Sequence, residues 1–363
     1  MKNALTLGRP FGIRVSVHWT FLLIIAWIVF LNLQQGAGTP AVIYSILFIL
    51  ALFICVVIHE LSHSLTAKQY GIPTRSITLL PIGGLADIQK MPEDPKQELA
   101  VSVAGPLSNI AIALVISLLL LITNNLDFST TDLHAITGKN FFIILMFANL
   151  MLAVFNLLPA FPMDGGRVFR SLMAIYFSRE KATYIAMNMG KIFAFGFAVI
   201  GVFVNPFLIF IAIFIFIGAQ KEYEQVRYTS VLSGYRVQDI LMHEFTTLKE
   251  VETLRTAVEM LLDGPEQRFV IVDDENRVKG ILTRNNIIQG LSEHGDDLII
   301  RQVMNRSITT FEPDTSLEEA FQKMQKQRIS MVPVVQNEKL VGIIDMDNIN
   351  EFIMVRSAIK RPQ

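Results

Sequence analysis

Between residues 15 and 219 the chain is a series of apolar runs separated by short polar breaks, and several of them are long enough to cross a hydrocarbon core. A spanning helix needs about 20 apolar residues, because no water is present to satisfy stray backbone N–H and C=O groups. The runs at 15–33, 41–67, 99–123, 141–158, 184–204 and 206–219 predict about six spans. The last run follows its predecessor after only Asn205-Pro206, so this pair predicts a tight hairpin or a broken helix. From residue 221 onward the chain reads as soluble, with charges throughout. The expected fold class is a polytopic α-helical membrane domain over 1–225, followed by a soluble α/β module. The charged segment 220–234, ending in Gly234, reads as the boundary.

Composition supports this division and excludes other classes. Of 363 residues, 52% are hydrophobic and 17% charged, and a net charge of −1 leaves no basic footprint for nucleic acid. The single cysteine, Cys55, rules out an internal disulfide. The first apolar run is longer than a signal-peptide core and has no clear small-residue cleavage site, so it reads as a retained span. Lys68, Arg75, Lys90 and Lys96 fall in one expected loop, and Arg167, Arg170, Arg179 and Lys181 in another on the same side. The opposite side has Lys139 alone. The positive-inside rule then puts both termini and the soluble module in the cytoplasm of a multi-pass cell-membrane protein.

An ionisable group at the bilayer centre costs about 3 kcal/mol or more, yet the second run contains His59, Glu60 and His63 within five positions. His59 and His63 are one helical turn apart, the H-E-x-x-H spacing that offers two imidazoles to one zinc ion and a carboxylate to its water. Elsewhere such a pattern is often a solvated helix face. Here the apolar residues 54–58 precede it, and Lys68 places the helix end about 13 Å or less from His59. A metal would neutralise Glu60 and occupy both imidazoles. Catalytic zinc needs a third protein ligand and an open position. His18 and His134 lie at unsuitable depths, whereas Asp164, in the proline-broken stretch 156–170, is expected at the depth of His59.

"HELSH", "PIGGLADI", "AGPLSN" and "NLLPAFPMDGG", in this order, resemble the site-2 protease family of intramembrane zinc metalloproteases over about residues 1–225. The resemblance implies His59, His63 and Asp164 as ligands of one zinc per chain, with Glu60 as general base. It implies Asn156 as a substrate-orienting or oxyanion residue. Asn109 is a second polar position of this kind, or else part of a packing surface with Gly105 and Ser108. The family's Pro-Leu-Asp-Gly stands here as Pro162-Met163-Asp164-Gly165. Residues 77–88 read as two short strands about the turn Gly83-Gly84, and an extended substrate is expected to pair with a free edge of this hairpin. The implied substrate is a single-span membrane protein. A transporter gated by the soluble module and an inactive homologue acting as a chaperone are the competing readings, but neither requires H-E-x-x-H together with Asp164.

The soluble part is a repeat with a spacing of about 62 residues, in which Met242 aligns with Met304, Leu254 with Leu317, Ala257 with Ala320 and Gly280 with Gly342. It resembles a tandem pair of CBS domains, over 235–298 and 299–357. The resemblance implies a regulatory module, a homodimer formed through the pair, and an adenine nucleotide as candidate ligand. The positions implied for nucleotide are Thr283, Asn286, Asp345 and Asn348, where Asn286 and Asn348 replace the usual ribose-binding aspartate.

Overall fold

The computed structural model describes residues 4–81, 83–88, 92–124, 136–264 and 267–359. Lys90 and His134, used above in the depth and charge arguments, and Ile82 of the expected hairpin lie outside the described residues. The chain divides into two compact units, Met1–Val226 and Arg227–Gln363.

The first unit begins with strands β1 (Ala4–Gly8) and β2 (Arg14–His18), then helices α1 (Phe21–Gln34) and α2 (Thr39–Gln69). Strands β3 (Thr74–Leu80) and β4 (Gly83–Ile88) follow, and then α3 (Pro95–Ile122), α4 (Phe141–Asn156), α5 (Asp164–Ala174), α6 (Arg179–Phe203) and α7 (Phe207–Leu232), whose residues from Arg227 onward belong to the second unit. Local chemistry starts the long helices where they start. Asp94 caps α3 by accepting the N–H of Lys96 at 2.7 Å, with Pro95 filling the first turn, and Ser178 caps α6 through the N–H of Lys181.

Six spans were expected. Among the described residues, three helices (α2, α3 and α6) are both long and apolar enough to cross a membrane, while α1 and α4 are apolar but shorter. A helix of 16 residues such as α4 extends about 24 Å. The expected first span loses its beginning, because 15–18 is strand β2 and not helix. There Val15 and Val17 pair with Ile77 and Leu79 of β3. A second correction is the stretch after Asp164, which is helix α5 and not irregular chain. The charged segment at 220–234 holds the boundary between the two units, at 226/227, and most of it is the end of α7, followed by Gly234 with φ +87.

The four strands form one sheet in the order β1-β2-β3-β4. The β2–β3 pair is parallel and the outer pairs are antiparallel. A parallel pair needs a long crossover, and α1 and α2 provide it. The alternation Ile77, Leu79 buries one face of β3. Gly83 and Gly84 open β4 and do not make the turn, and β3 is an interior strand, so the sheet's edge on this side is β4 alone.

The second unit contains β5 (Thr247–Lys249), α8 (Leu254–Asp263), β6 (Arg268–Val272), β7 (Val278–Thr283) and α9 (Arg284–His294). Then come α10 (Leu317–Gln327), β8 (Met331–Gln336), β9 (Lys339–Asp345) and α11 (Met346–Ile359). The first repeat has a three-stranded sheet, and the second a two-stranded sheet with a parallel bridge from Phe311 to Val334. The repeats exchange their entry segments. Met242 bridges to Ile343 of β9, and Asn305 bridges to Ile281 of β7. Gly280 and Gly342 allow this, since a Cβ on either would fall within 2.9 Å of the incoming strand's backbone, at Asn305 or Met242. Across the 298/299 boundary each repeat therefore lends its entry residues to the other's core. Val237 and Ile240 are buried with the second repeat, and Ile300 and Met304 with the first. A third cluster, including Val270, Val272, Met331 and Ile343, joins the two.

Candidate metal centre

His59 and His63 project from one face of α2 and are 6% exposed each. Asp164 reaches them from the first turn of α5, across 105 and 101 residues of sequence. Its Oδ2 lies 3.2 Å from His59 Nε2 and 3.1 Å from His63 Nε2, and the two Nε2 atoms are 3.1 Å apart. Among the described residues this is the group of His, Cys, Asp and Glu side chains arranged to hold a metal ion.

Small residues make this approach possible. A Cβ at Gly165 would strike the backbone of Leu157 and Leu158, and one at Gly166 would fall 2.6 Å from the nitrogen of Phe161. Helix α5 thus seats its first turn directly on the loop after α4. Pro162, which follows a cis peptide bond, fits against Gly218 of α7, where a Cβ would lie 2.7 Å from its Cδ. On the other side, α3 passes under both imidazoles at Gly105. A Cβ there would be 2.6 Å from His63 Cε1 and 2.7 Å from His59 Cε1.

Helix α3 also supplies the groups behind the rings. His63 Nδ1 donates to the Val101 carbonyl at 2.6 Å, and His59 Nδ1 donates to Asn109 Oδ1 at 2.9 Å. In the neutral rings the proton sits on Nδ1, and each Nε2 then presents a lone pair. Two such lone pairs and a carboxylate oxygen form the donor set of a metal site, and a cation among them would relieve their mutual repulsion. A tetrahedral zinc with bonds of about 2.0–2.1 Å sets its donors about 3.3 Å apart. The observed triangle fits that ion, and the backed Nδ1 positions are the usual support for a ligating histidine.

Glu60 is half-buried beside this triangle, against β4. A Cβ on Gly84 would come within 2.5 Å of Glu60 Cγ, so only glycine leaves space for the carboxylate at that position. Gly83, by contrast, faces open space, with φ +133. Asn156 is the last residue of α4 and is half-buried, outside the triangle. Asn109 is fully buried behind His59, where its Oδ1 accepts the His59 Nδ1 proton. His18 bonds Thr20 at 2.7 Å and is not part of the cluster. The Val101 carbonyl and Gly105 were not singled out as parts of the centre from sequence. Their four-residue spacing with Asn109 along α3 is a signal only once α3 is known to cross α2.

In the second unit, Thr283 and Asn286 satisfy each other in a capping box at the start of α9, with the hydroxyl 2.5 Å from Asn286 Oδ1. Asp345 Oδ1 accepts the Asn348 N–H at 2.7 Å. Of these four residues, only Asn348 keeps a buried side-chain oxygen without a partner among the described residues.

Comparison with known proteins gives a consistent result. The model of peptidase family M50 matches residues 47–197, and that of the CBS domain matches 237–293 and 300–355. A zinc metalloprotease of Methanocaldococcus jannaschii is 31% identical over 96% of this chain and 96% of its own. Among solved structures, the site-2 protease from Methanocaldococcus jannaschii is 34% identical and covers 61% of this chain and 95% of its own, with a TM-score of 0.45. A CBS domain pair solved in complex with 5-methylthioadenosine and S-adenosyl-L-methionine is 27% identical over 34% of this chain and 98% of its own, with a TM-score of 0.31.

Proposed function

This chain belongs to peptidase family M50, the site-2 protease family, and carries a pair of CBS domains; from that premise we propose that it is a zinc-dependent intramembrane endopeptidase cleaving transmembrane segments of single-span membrane proteins. The observation that carries this reading is the convergence of His59 Nε2, His63 Nε2 and Asp164 Oδ2 within 3.2 Å. These three residues hold one zinc per chain. Zinc in such a site supplies Lewis acidity, which makes water nucleophilic near neutral pH and polarises a carbonyl.

The protein's own groups do the rest. A carboxylate oxygen of Glu60 takes the proton of the attacking water and returns it to the leaving amide nitrogen. The imidazole protons stay on Nδ1, held by Val101 and Asn109. A peptide bond inside a helix is shielded, so the substrate segment must be extended to react. The free edge of β4 provides a template for it by strand addition, beside Glu60 at Gly84. Asn156, where α4 gives way to the loop that precedes Asp164, orients that segment or stabilises the oxyanion.

The arrangement in the cell follows from the charge distribution: about six spans, with both termini and the CBS pair cytoplasmic. The domain division we adopt is 1–225, 235–298 and 299–357. The pair dimerises the enzyme and regulates it, with an adenine nucleotide as ligand near Asn348. Such a nucleotide regulates only by binding two arrangements unequally.

The test compares wild type with Glu60→Gln and with a His59→Ala, His63→Ala double variant. Glu60→Gln is expected to retain one zinc by elemental analysis and to lose about 10²–10⁴-fold in cleavage of a single-span substrate. The double variant is expected to lose the metal. Wild-type turnover by Glu60→Gln removes Glu60 from the mechanism, and undiminished metal in the double variant overturns the site.

A further inference from the structure

Six residues beyond Asp164, helix α5 carries a buried charge that the proposed chemistry does not use. The Arg170 side chain is 1% exposed. Its Nε donates to Glu98 Oε1 at 3.0 Å, its Nη2 bonds the same oxygen, and its Nη1 donates to Glu222 Oε1 at 2.9 Å. Glu98 is equally buried and Glu222 is 22% exposed. The guanidinium also lies over the Phe161 ring, 5.1 Å from its centroid, in the loop that leads into Asp164. Arg179 at the start of α6 approaches the other oxygen of Glu98 at 3.9 Å.

The position of Glu98 makes this more than a structural ion pair. Glu98, Val101 and Asn109 all belong to α3. Val101 holds His63, Asn109 holds His59, and Glu98 holds Arg170 and with it the helix that bears Asp164. All three donors of the metal centre are thus referenced to one helix. Helix α5 has only 11 residues, and it enters from a loop, so its register needs an anchor at its far end. A guanidinium fork suits this task because its planar donors fix direction as well as distance, which a lysine ammonium does not.

We propose that Arg170 is a positioning residue for Asp164, and that through Glu98 it sets the third metal ligand in register with the two histidines. This inference rests on the zinc site proposed above. Its test is a double-variant cycle on the purified full-length chain, reading zinc occupancy in metal-buffered solution beside thermal unfolding. Asp164→Asn alone is expected to weaken zinc binding by more than tenfold. Arg170→Met is expected to weaken it at least tenfold, with Arg170→Lys intermediate. In the Asp164→Asn background, Arg170→Met is expected to change occupancy less than threefold, because the ligand it positions is gone. A residue with a merely structural role would show the same loss in both backgrounds, and that result overturns the proposal. So does an Arg170→Met protein with a wild-type zinc midpoint while Asp164→Asn is weakened. If Asp164→Asn itself binds zinc like wild type, the metal site and not the clasp has failed. Should Arg170→Met not fold, Glu98→Gln enters the same cycle with the same expectations.

Discussion

At Asn109 a fully buried amide decides which nitrogen of a histidine one helix away is free. Its oxygen accepts the His59 Nδ1 proton, while its own NH₂ has no partner among the described residues. Losing such a backing group commonly costs 10–100-fold in metal affinity. Asn109→Ala is therefore expected to bind zinc about 10–100-fold more weakly in competition with a chromophoric chelator. Asn109→Asp, which keeps the acceptor and removes the unpartnered donor, should bind at least as well as wild type. If Asn109→Ala shows wild-type affinity, the hydrogen bond has no part in holding His59. His59 and His63 were legible in sequence because helix geometry alone puts i and i+4 on one face. Asn109 was visible only as a polar residue in an apolar run, because its partner lies 50 residues away.

At the scale of elements, the hairpin at 77–88 was legible as two strands, but its place in the sheet was not. Taken as an isolated hairpin, 77–88 offers a free edge on either strand. The sheet order makes β3 interior, so proline there breaks the pairing with β2 or β4, whereas β4 has one unpaired side among the described residues. Proline cannot donate to a ladder. A scan over Leu85, Ala86 and Asp87 should therefore slow cleavage where the N–H points away from β3. A lost bond of about 1 kcal/mol corresponds to about fivefold in kcat/KM. Zinc content should stay unchanged. Normal cleavage rates at all three positions would rule out strand addition at β4.

For the molecule as a whole, the charged stretch 220–234 holds the boundary between the two units, yet its end is not simply solvated. Here Val231 and Leu232, 3% and 0% exposed, are buried in the core of the second CBS repeat. Burying one such side chain contributes about 1.5–3 kcal/mol. A soluble fragment starting at Arg227 should thus be about 3 kcal/mol more stable to urea than one starting at Tyr235. Equal midpoints and slopes for the two would show that the end of α7 adds nothing to that core. Light scattering on the longer fragment reads the proposed dimer, and a monomer at tens of micromolar would exclude self-association through the pair.

By itself the sequence determined what depends on near neighbours along the chain. Apolar run length implied a membrane protein, i,i+4 spacing placed two imidazoles and a carboxylate on one helix, and the 62-residue repeat implied a paired module. The pairing of Asp164 with that motif was also inferred, from depth and family resemblance. Tertiary structure alone decided the rest. It placed 15–18 in a strand, because Val15 and Val17 find partners on β3. It interleaved the two CBS repeats through Met242 and Asn305. It also made α3 the common support of His59, His63 and, through Arg170, Asp164. The physical reason is range: a helix satisfies its own backbone and repeats its pattern within a few residues, whereas strand partners, backing hydrogen bonds and buried ion pairs form only where packing brings distant segments together.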